Sequence, residues 1–276
     1  MPGNSTTNSW PFPPQSQEVQ FDEKWAFVAK KQKHCDPDDP VDQRCGDHWD
    51  PVAFDPEHKL VVTLVPGKRT RKNVHCLVQD FHRRTGGRLM RLMTSDEYKP
   101  YREAILEVYG ETYPRRRRHR IGRRPKPGRR PPPGLLYATV HKHRRRGRVV
   151  RVSTQIIYGC REDLQKALEA SACSSNINIA FVERYNGTDR HQNARKVRRT
   201  YRFSKDWDIH QAATYFSAYS YSYSYNFCWS VRTLRRQTAE GTWGLPCTPA
   251  MSAGLADHVW TLQEWITLPA VQRSST

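Results

Sequence analysis

Three acids in this chain stand in settings where they could act together: Asp22 in Phe21-Asp22-Glu23-Lys24-Trp25, Asp96 in Thr94-Ser95-Asp96-Glu97-Tyr98, and Glu183 in Val182-Glu183-Arg184-Tyr185-Asn186. Carboxylate oxygens are the ligands that hard divalent cations such as Mg²⁺ prefer. A pair of such ions can activate an attacking oxygen and relieve a leaving oxygen of charge in a phosphodiester displacement. That chemistry requires the acids to come from rigid elements and to converge. Glu23 and Glu97 sit beside two of them. Adjacent side chains on a strand face opposite ways, so only one of Asp22 and Glu23 is expected to face a metal.

The charge balance fits a phosphate polymer as partner. The 276 residues include 46 Lys or Arg against 27 Asp or Glu, a formal net charge of +19. Charge of this size speaks to partners rather than to fold, and the usual partners are nucleic acid or an anionic membrane surface. No stretch approaches the ~20 apolar residues of a membrane span. Met1 to Ser16 shows no basic start followed by an apolar run, so no secretory signal is expected. The seven cysteines are scattered and odd in number, which fits reduced thiols and a cytoplasmic location better than a disulfide framework. His34, Cys35, Cys45 and His48 are of the types that ligate zinc. The adjacent His34-Cys35 half lacks usable ligand spacing, which favours an acidic loop with incidental Cys and His.

The elements that must position the acids follow from periodicity. Residues 1–17 are Ser-, Asn- and Pro-rich and are expected to be a disordered leader. Val19 to Val28 reads as a strand carrying Asp22, Asp36 to Asp50 as an acidic loop, and His58 to Val65 as a β-branched strand. Val74, Leu77, Val78 and Phe81 recur at helical spacing and predict a helix to Arg84. Arg88 to Thr94 is a short apolar strand that delivers Asp96 at its end, and Lys99 to Tyr109 is the next helix. Residues 113–151 form a basic insertion. Its Arg/Pro-rich part, to Pro133, cannot fold alone, and a hairpin of Leu135 to Val140 and Val149 to Tyr158 is predicted around a basic turn. Glu162 to Ala172, Asn176 to about Arg199 with Glu183, and Asp206 to about Arg236 are predicted helices. The last contains a Tyr-Ser repeat, Ser220 to Tyr225. Residues 237–276, with Trp260, Trp265 and Leu268, are expected to fold back on the domain. This order suggests a mixed α/β layer with one carboxylate at the end of a central strand and another facing it from a helix.

The three acidic segments, in this order, resemble the DDE transposases of small bacterial insertion sequences, in particular those of the IS-one type. The likeness rests on Asp22-Glu23-Lys24-Trp25, on Ser95-Asp96-Glu97-Tyr98 with Tyr101, and on Val182-Glu183-Arg184-Tyr185-Asn186. It continues through Arg190 to Arg199 and Phe203-Ser204-Lys205-Asp206, covering roughly residues 18–236. The ordered combination is specific where each fragment alone is weak.

The resemblance implies a ribonuclease H-like domain over 18–236, a mixed sheet flanked by helices. Asp22 would lie on the first strand, Asp96 after the fourth and Glu183 on a following helix. It selects Asp22 over Glu23, and it implies Mg²⁺ or Mn²⁺ held by Asp22, Asp96 and Glu183. The reaction it implies is nicking of double-stranded DNA at element ends, then attack of the freed 3′-hydroxyl on target DNA. A homodimer is the smallest assembly that would pair two ends. A cationic stripe of Arg184, Arg190, His191, Arg195, Lys196, Arg198 and Arg199 is expected to contact phosphates through charge and counterion release. Two rival readings stand beside this one: a catalytically decayed, basic DNA-binding protein, and a nuclease on the same scaffold.

Overall fold

A computed structural model describes residues 14–115, 126–197, 201–216, 224–238 and 240–267. The leader through residue 13, residues 116–125 of the basic stretch, residues 217–223 of the Tyr-Ser region and the last residues, with Leu268, lie outside the described part.

The centre is a six-stranded mixed sheet built from β1 (Glu18–Val28), β2 (Gly46–Asp55), β3 (Leu60–Leu64), β4 (Leu92–Asp96), β7 (Tyr137–Arg145) and β8 (Arg148–Tyr158). Their order is β3-β2-β1-β4-β7-β8. β1 runs parallel to β4 and β4 to β7, while β2, β3 and β8 pair antiparallel with their neighbours. Two short strands, β5 (Glu111–Tyr113) and β6 (Gly128–Arg130), pair apart from this sheet at the two ends of the basic stretch.

Strand alternation gives β1 two different faces. Val19 and Phe21 point into a core with α1 (Arg71–Arg84) and α2 (Lys99–Tyr109), where Phe21 meets Phe81 edge-on at 5.6 Å and stacks on Tyr101 at 5.5 Å. α1 buries Val74, Leu77, Val78 and Phe81, one stripe of a 3.6-residue period, and Thr70 caps its start by accepting from the Asn73 N–H at 3.2 Å. The opposite face carries α4 (Ala180–Gln192), whose Val182 and Tyr185 pack with Val52, Phe54, Val61 and Val140. A third cluster joins Leu92 and Leu136 to Ala167 of α3 (Arg161–Glu169). Ala253, just past the short helix Pro249–Ser252, is buried in the first core, and its carbonyl accepts from the Gln15 N–H.

Four elements differ from the sequence reading. The acidic stretch expected to be a loop through Asp50 turns into strand at Gly46. Its Asp50 and Asp55 are fully buried because Lys196 and His58 pair with them. The predicted hairpin is longer and its turn tighter: β7 runs to Arg145, β8 starts at Arg148, and Arg146 and Gly147 alone make the corner. Their φ values of 50° and 77° suit a two-residue turn whose twist matches the strands. α4 ends at Gln192 rather than near Arg199. There Asn193 turns extended and its side chain accepts from the Arg195 N–H at 3.1 Å, starting a short 3-10 turn at Ala194–Lys196. Finally, the expected aromatic helix is helical over its described parts, α5 (Trp207–Phe216) and α6 (Ser224–Cys228), but ends at Cys228 rather than near Arg236.

Candidate active site

The even-numbered residues of β1 form a polar zipper with α4, and this sets the geometry of the site. Gln20 Oε1 accepts from the Phe181 and Val182 N–H groups at 3.1 Å each, satisfying donors that a helix N-terminus leaves open. Two residues on, Asp22 Oδ2 accepts from Asn186 Nδ2 at 2.7 Å. Two further, Lys24 pairs with Asp189, both fully buried. Strand and helix thus advance together, rung by rung. Glu183 lies about one turn before Asn186, so it faces the same opening as Asp22.

Asp96 reaches that opening from β4. The pairing of β1 with β4 stops at Phe21 with Ser95, so Asp96 sits where β1 runs on without it. Its carboxylate is fixed by the Tyr98 N–H at 3.0 Å, an Asx-type turn that also starts α2. Asp22, Asp96 and Glu183 line one cleft of about 620 Å³. Asp22 and Asp96, with Glu23, offer ligand oxygens that all lie within 4.8 Å of one another.

Glu23 departs from the alternation argument. It does leave β1 on the α1/α2 side and is only 6 % exposed. Yet Asp96, at the strand's end, is open to both faces, and Glu23 comes into range of it. Arg69 bridges the two, donating to Glu23 Oε2 at 2.9 Å and to Asp96 Oδ2 at 3.3 Å. Its guanidinium lies over the Trp49 ring at 4.7 Å and the Tyr98 ring at 3.9 Å, which holds the cation in place.

The electrostatics are those of crowded acids short of positive charge. Burial, and then the Asp96 charge beyond its hydrogen bonds, push Asp22 up to about 6. Burial and the Asp96 charge push Glu23 up to about 8 against the opposing pull of Arg69. Burial also raises Asp96. Glu23 also has the buried Tyr101 hydroxyl beside it, a hydrogen-bonding neighbour that favours its charged form. A divalent cation fits this donor set: hard oxygens gathered within 4.8 Å of one another, and net negative charge. On the far wall, Glu183 is paired with Lys142 and Glu97 with His141.

The expected phosphate-binding stripe is only partly assembled. Arg190 lines the cleft with Asn186 and Glu183, at the i+4 and i+7 positions of one helical face. Arg184 and His191 are exposed on α4 and Arg195 is half-buried in the turn that follows, but none of these lines the cleft. Lys196 contradicts the expectation. It is 2 % exposed and pairs with buried Asp50, because the chain leaves the helix at Asn193 and folds Lys196 inward. Arg198 and Arg199 lie outside the described residues.

Lys196 Nζ also lies 3.1 Å from His210 Nε2. An ammonium only donates, so Nε2 accepts, and Nδ1 carries the proton that it donates to Ser204 Oγ at 2.9 Å. Burial, with Lys196 beside it, lowers His210 to about 3, and burial lowers His48 to about 4. His48, 4.3 Å from Trp207 in a stack, is therefore a core residue. The only group of metal-ligating side chains among the described residues is Asp22, Glu23 and Asp96, so His34, Cys35, Cys45 and His48 form no such site. All seven cysteines are free thiols.

Arg69 has no local signal in sequence, since only the fold brings it to Glu23 and Asp96. Asn186 stands inside the motif around Glu183, and its spacing from that acid is the available clue. No protein-family model matches the chain, and a search of curated proteins finds no similar sequence. No helix among the described residues is long and apolar enough to cross a membrane.

Proposed function

We propose that this chain is a divalent-metal-dependent enzyme of phosphodiester chemistry on DNA. More specifically, we propose the catalytic domain of a DDE transposase with a ribonuclease H-like fold. One observation carries the reading: Asp22, Asp96 and Glu183, far apart in the chain, line a single cleft. The strand order, with an antiparallel β1-β2-β3 meander joined through β1 to parallel β4 and β7, supports the fold assignment. The motif resemblance supports the finer one.

In this reading Asp22 and Asp96 hold Mg²⁺ or Mn²⁺, with Glu183 and Glu23 at hand to complete the donor set. When bound, the metal would supply Lewis-acid activation of the phosphodiester and of the attacking oxygen. The protein's own groups do the positioning. Asn186 orients the Asp22 carboxylate, and the Tyr98 N–H orients Asp96. Arg69 supplies fixed positive charge beside Glu23 and Asp96. Lys142 pairs with Glu183 and holds its carboxylate in place on the cleft wall until DNA arrives. Arg190 and Arg144, both on the cleft wall, are placed to meet phosphate oxygens.

The test is nicking and joining on a plasmid carrying the gene with its flanking DNA, in Mg²⁺ and in Mn²⁺. Nicked and joined products are expected with the parent. They should vanish in Asp22→Asn, Asp96→Asn and Glu183→Gln while DNA binding persists. Equal cutting by all three variants would overturn the reading. Free ends without joined products would reassign the chain to a nuclease.

A further inference from the structure

The β7–β8 hairpin outruns the sheet that anchors it. β4 accompanies β7 only from Tyr137 to Val140, where Val140 lies opposite Asp96. From His141 onward β8 is the one strand among the described residues that pairs with β7, through Arg145 opposite Arg148. At about 3.3 Å per residue, the five residues to Arg145 carry a two-stranded ribbon roughly 16 Å past the end of β4. The ribbon therefore begins beside the acidic cluster and extends away from it. Its tip is the two-residue Arg146-Gly147 corner, which leaves no slack.

Its charge is one-sided. Residues 141–153 contain six Lys or Arg, two His and no acid. Lys142 and His141, at the root, are paired with Glu183 and Glu97. Arg144, Arg145, Arg146, Arg148 and Arg151 have no carboxylate partner among the described residues. The contrast with the rest of the fold is sharp: Arg69, Arg71, Arg84 and Arg130 each meet an acid. Five guanidiniums on one short hairpin repel one another, and a polyanion laid along it would relieve that repulsion. Arg144 lines the cleft itself, so an anion held along the ribbon continues into the acidic site.

We propose that the β7–β8 ribbon is an arm that docks on duplex DNA and lays one strand of it across the acidic cleft. The inference rests on the proposed DNA chemistry and adds the surface that delivers the substrate. A two-stranded antiparallel ribbon has the cross-section that the major groove admits, about 12 Å wide. The arm binds through phosphates, so it positions the duplex without reading its sequence. Val149, Val150 and Val152 are 45 %, 62 % and 54 % exposed on the outer strand, an edge that could instead pair with a second copy. That arrangement would bring two sets of unpaired arginines together, so charge favours DNA.

The experiment is fluorescence anisotropy of the full chain on a labelled duplex of about 30 bp, without divalent metal, between about 50 and 200 mM salt. The triple variant Arg144→Gln, Arg146→Gln, Arg148→Gln is compared with Lys72→Gln, Arg83→Gln, Arg102→Gln, which removes equal charge from exposed positions on α1 and α2. Circular dichroism checks that both remain folded. The ribbon variant should bind at least about 10-fold more weakly, with a salt slope shallower by about 2.7, or about 0.9 for each phosphate no longer neutralised. The α1/α2 variant should keep the parental slope. Equal effects in the two variants, or no effect in either, would overturn the arm. So would absence of DNA binding by the parent, or a ribbon variant that changes only the oligomeric state seen by light scattering. No cleavage is read, so loss of the metal chemistry leaves this result standing, and failure of the arm leaves the cleavage test untouched.

Discussion

Two groups of carboxylates lie along β1 and its neighbours and meet opposite electrostatic fates. On one side Asp189 and Asp50 are each matched by a buried lysine, Lys24 and Lys196. Burial alone would raise Asp50, but the Lys196 charge, with Lys24 further off, overcomes it and holds the carboxyl below its ordinary range. Burial opposes the charge on Lys24 as well, and Asp189 outweighs it, raising that pKa. A few residues away, Asp22, Glu23 and Asp96 crowd together, with Arg69 paired to Glu23 and Asp96, and all three are pushed up. In the first group each carboxylate has its own lysine, and the two pairs tie α4 and the turn after it to the sheet. The second has three acids for one arginine, and the proposed cation would supply the missing positive charge.

That contrast predicts opposite responses to mutation. The largest effect belongs to the completed group. Lys196→Ala leaves Asp50 buried and unmatched and should cost about 3–5 kcal/mol in urea unfolding, whereas Lys196→Met with Asp50→Leu should recover most of the loss. If Lys196 instead served DNA, Lys196→Ala would lower affinity at unchanged stability.

In the crowded group, Asp22→Asn should stabilise the metal-free protein at neutral pH by about 1 kcal/mol, because it removes a buried charge. Asp50→Asn should destabilise it, because Lys196 loses its partner. Thermal melts of the two variants side by side decide whether the groups differ as described. Destabilisation of similar size in both would erase the distinction.

The pH dependence follows from the raised carboxyls. Glu23 goes from an ordinary 4.5 to about 8, so the folded chain holds a proton that the unfolded chain has released across that window. Unfolding free energy from this group is therefore greatest at low pH and falls as pH rises through it. The melting temperature of metal-free protein should decline towards pH 8 less steeply in Glu23→Gln than in the parent. Millimolar Mg²⁺ should offset the parental decline at the alkaline end, where the acids are ionised and free to bind it. The smallest effect is expected at Asn186, which only orients Asp22. Asn186→Ala should slow cleavage by about 10-fold, within the range typical of groups that orient metal ligands, with the melting temperature nearly unchanged.

Much of this architecture is legible in the chain, and the misses share a physical cause. α1 shows in its apolar period, β4 in its apolar run, and Asp22, Asp96 and Glu183 in their neighbours. β2 is hidden because Asp47, Asp50 and Asp55 resemble loop acids, and the partner that lets Asp50 be buried lies 146 residues further along. The full cationic stripe requires a helix running to residue 199, but Asn193 ends it and turns Lys196 into the core. Strand alternation puts Glu23 on the face opposite Asp22, as found, but does not report that Asp96, past the end of the β1–β4 pairing, comes within 4.8 Å of both. Local pattern reports elements well. It does not report which distant charge will neutralise a buried one.

The central claim is that the crowded carboxylates bind divalent ions. The most direct measurement is anomalous scattering from crystals soaked in Mn²⁺. A peak is expected in the cleft, bonded to Asp22 and Asp96 oxygens at about 2.1–2.2 Å and lost in crystals of Asp22→Asn. A cleft without anomalous density, or a peak that persists unchanged in Asp22→Asn, would contradict it.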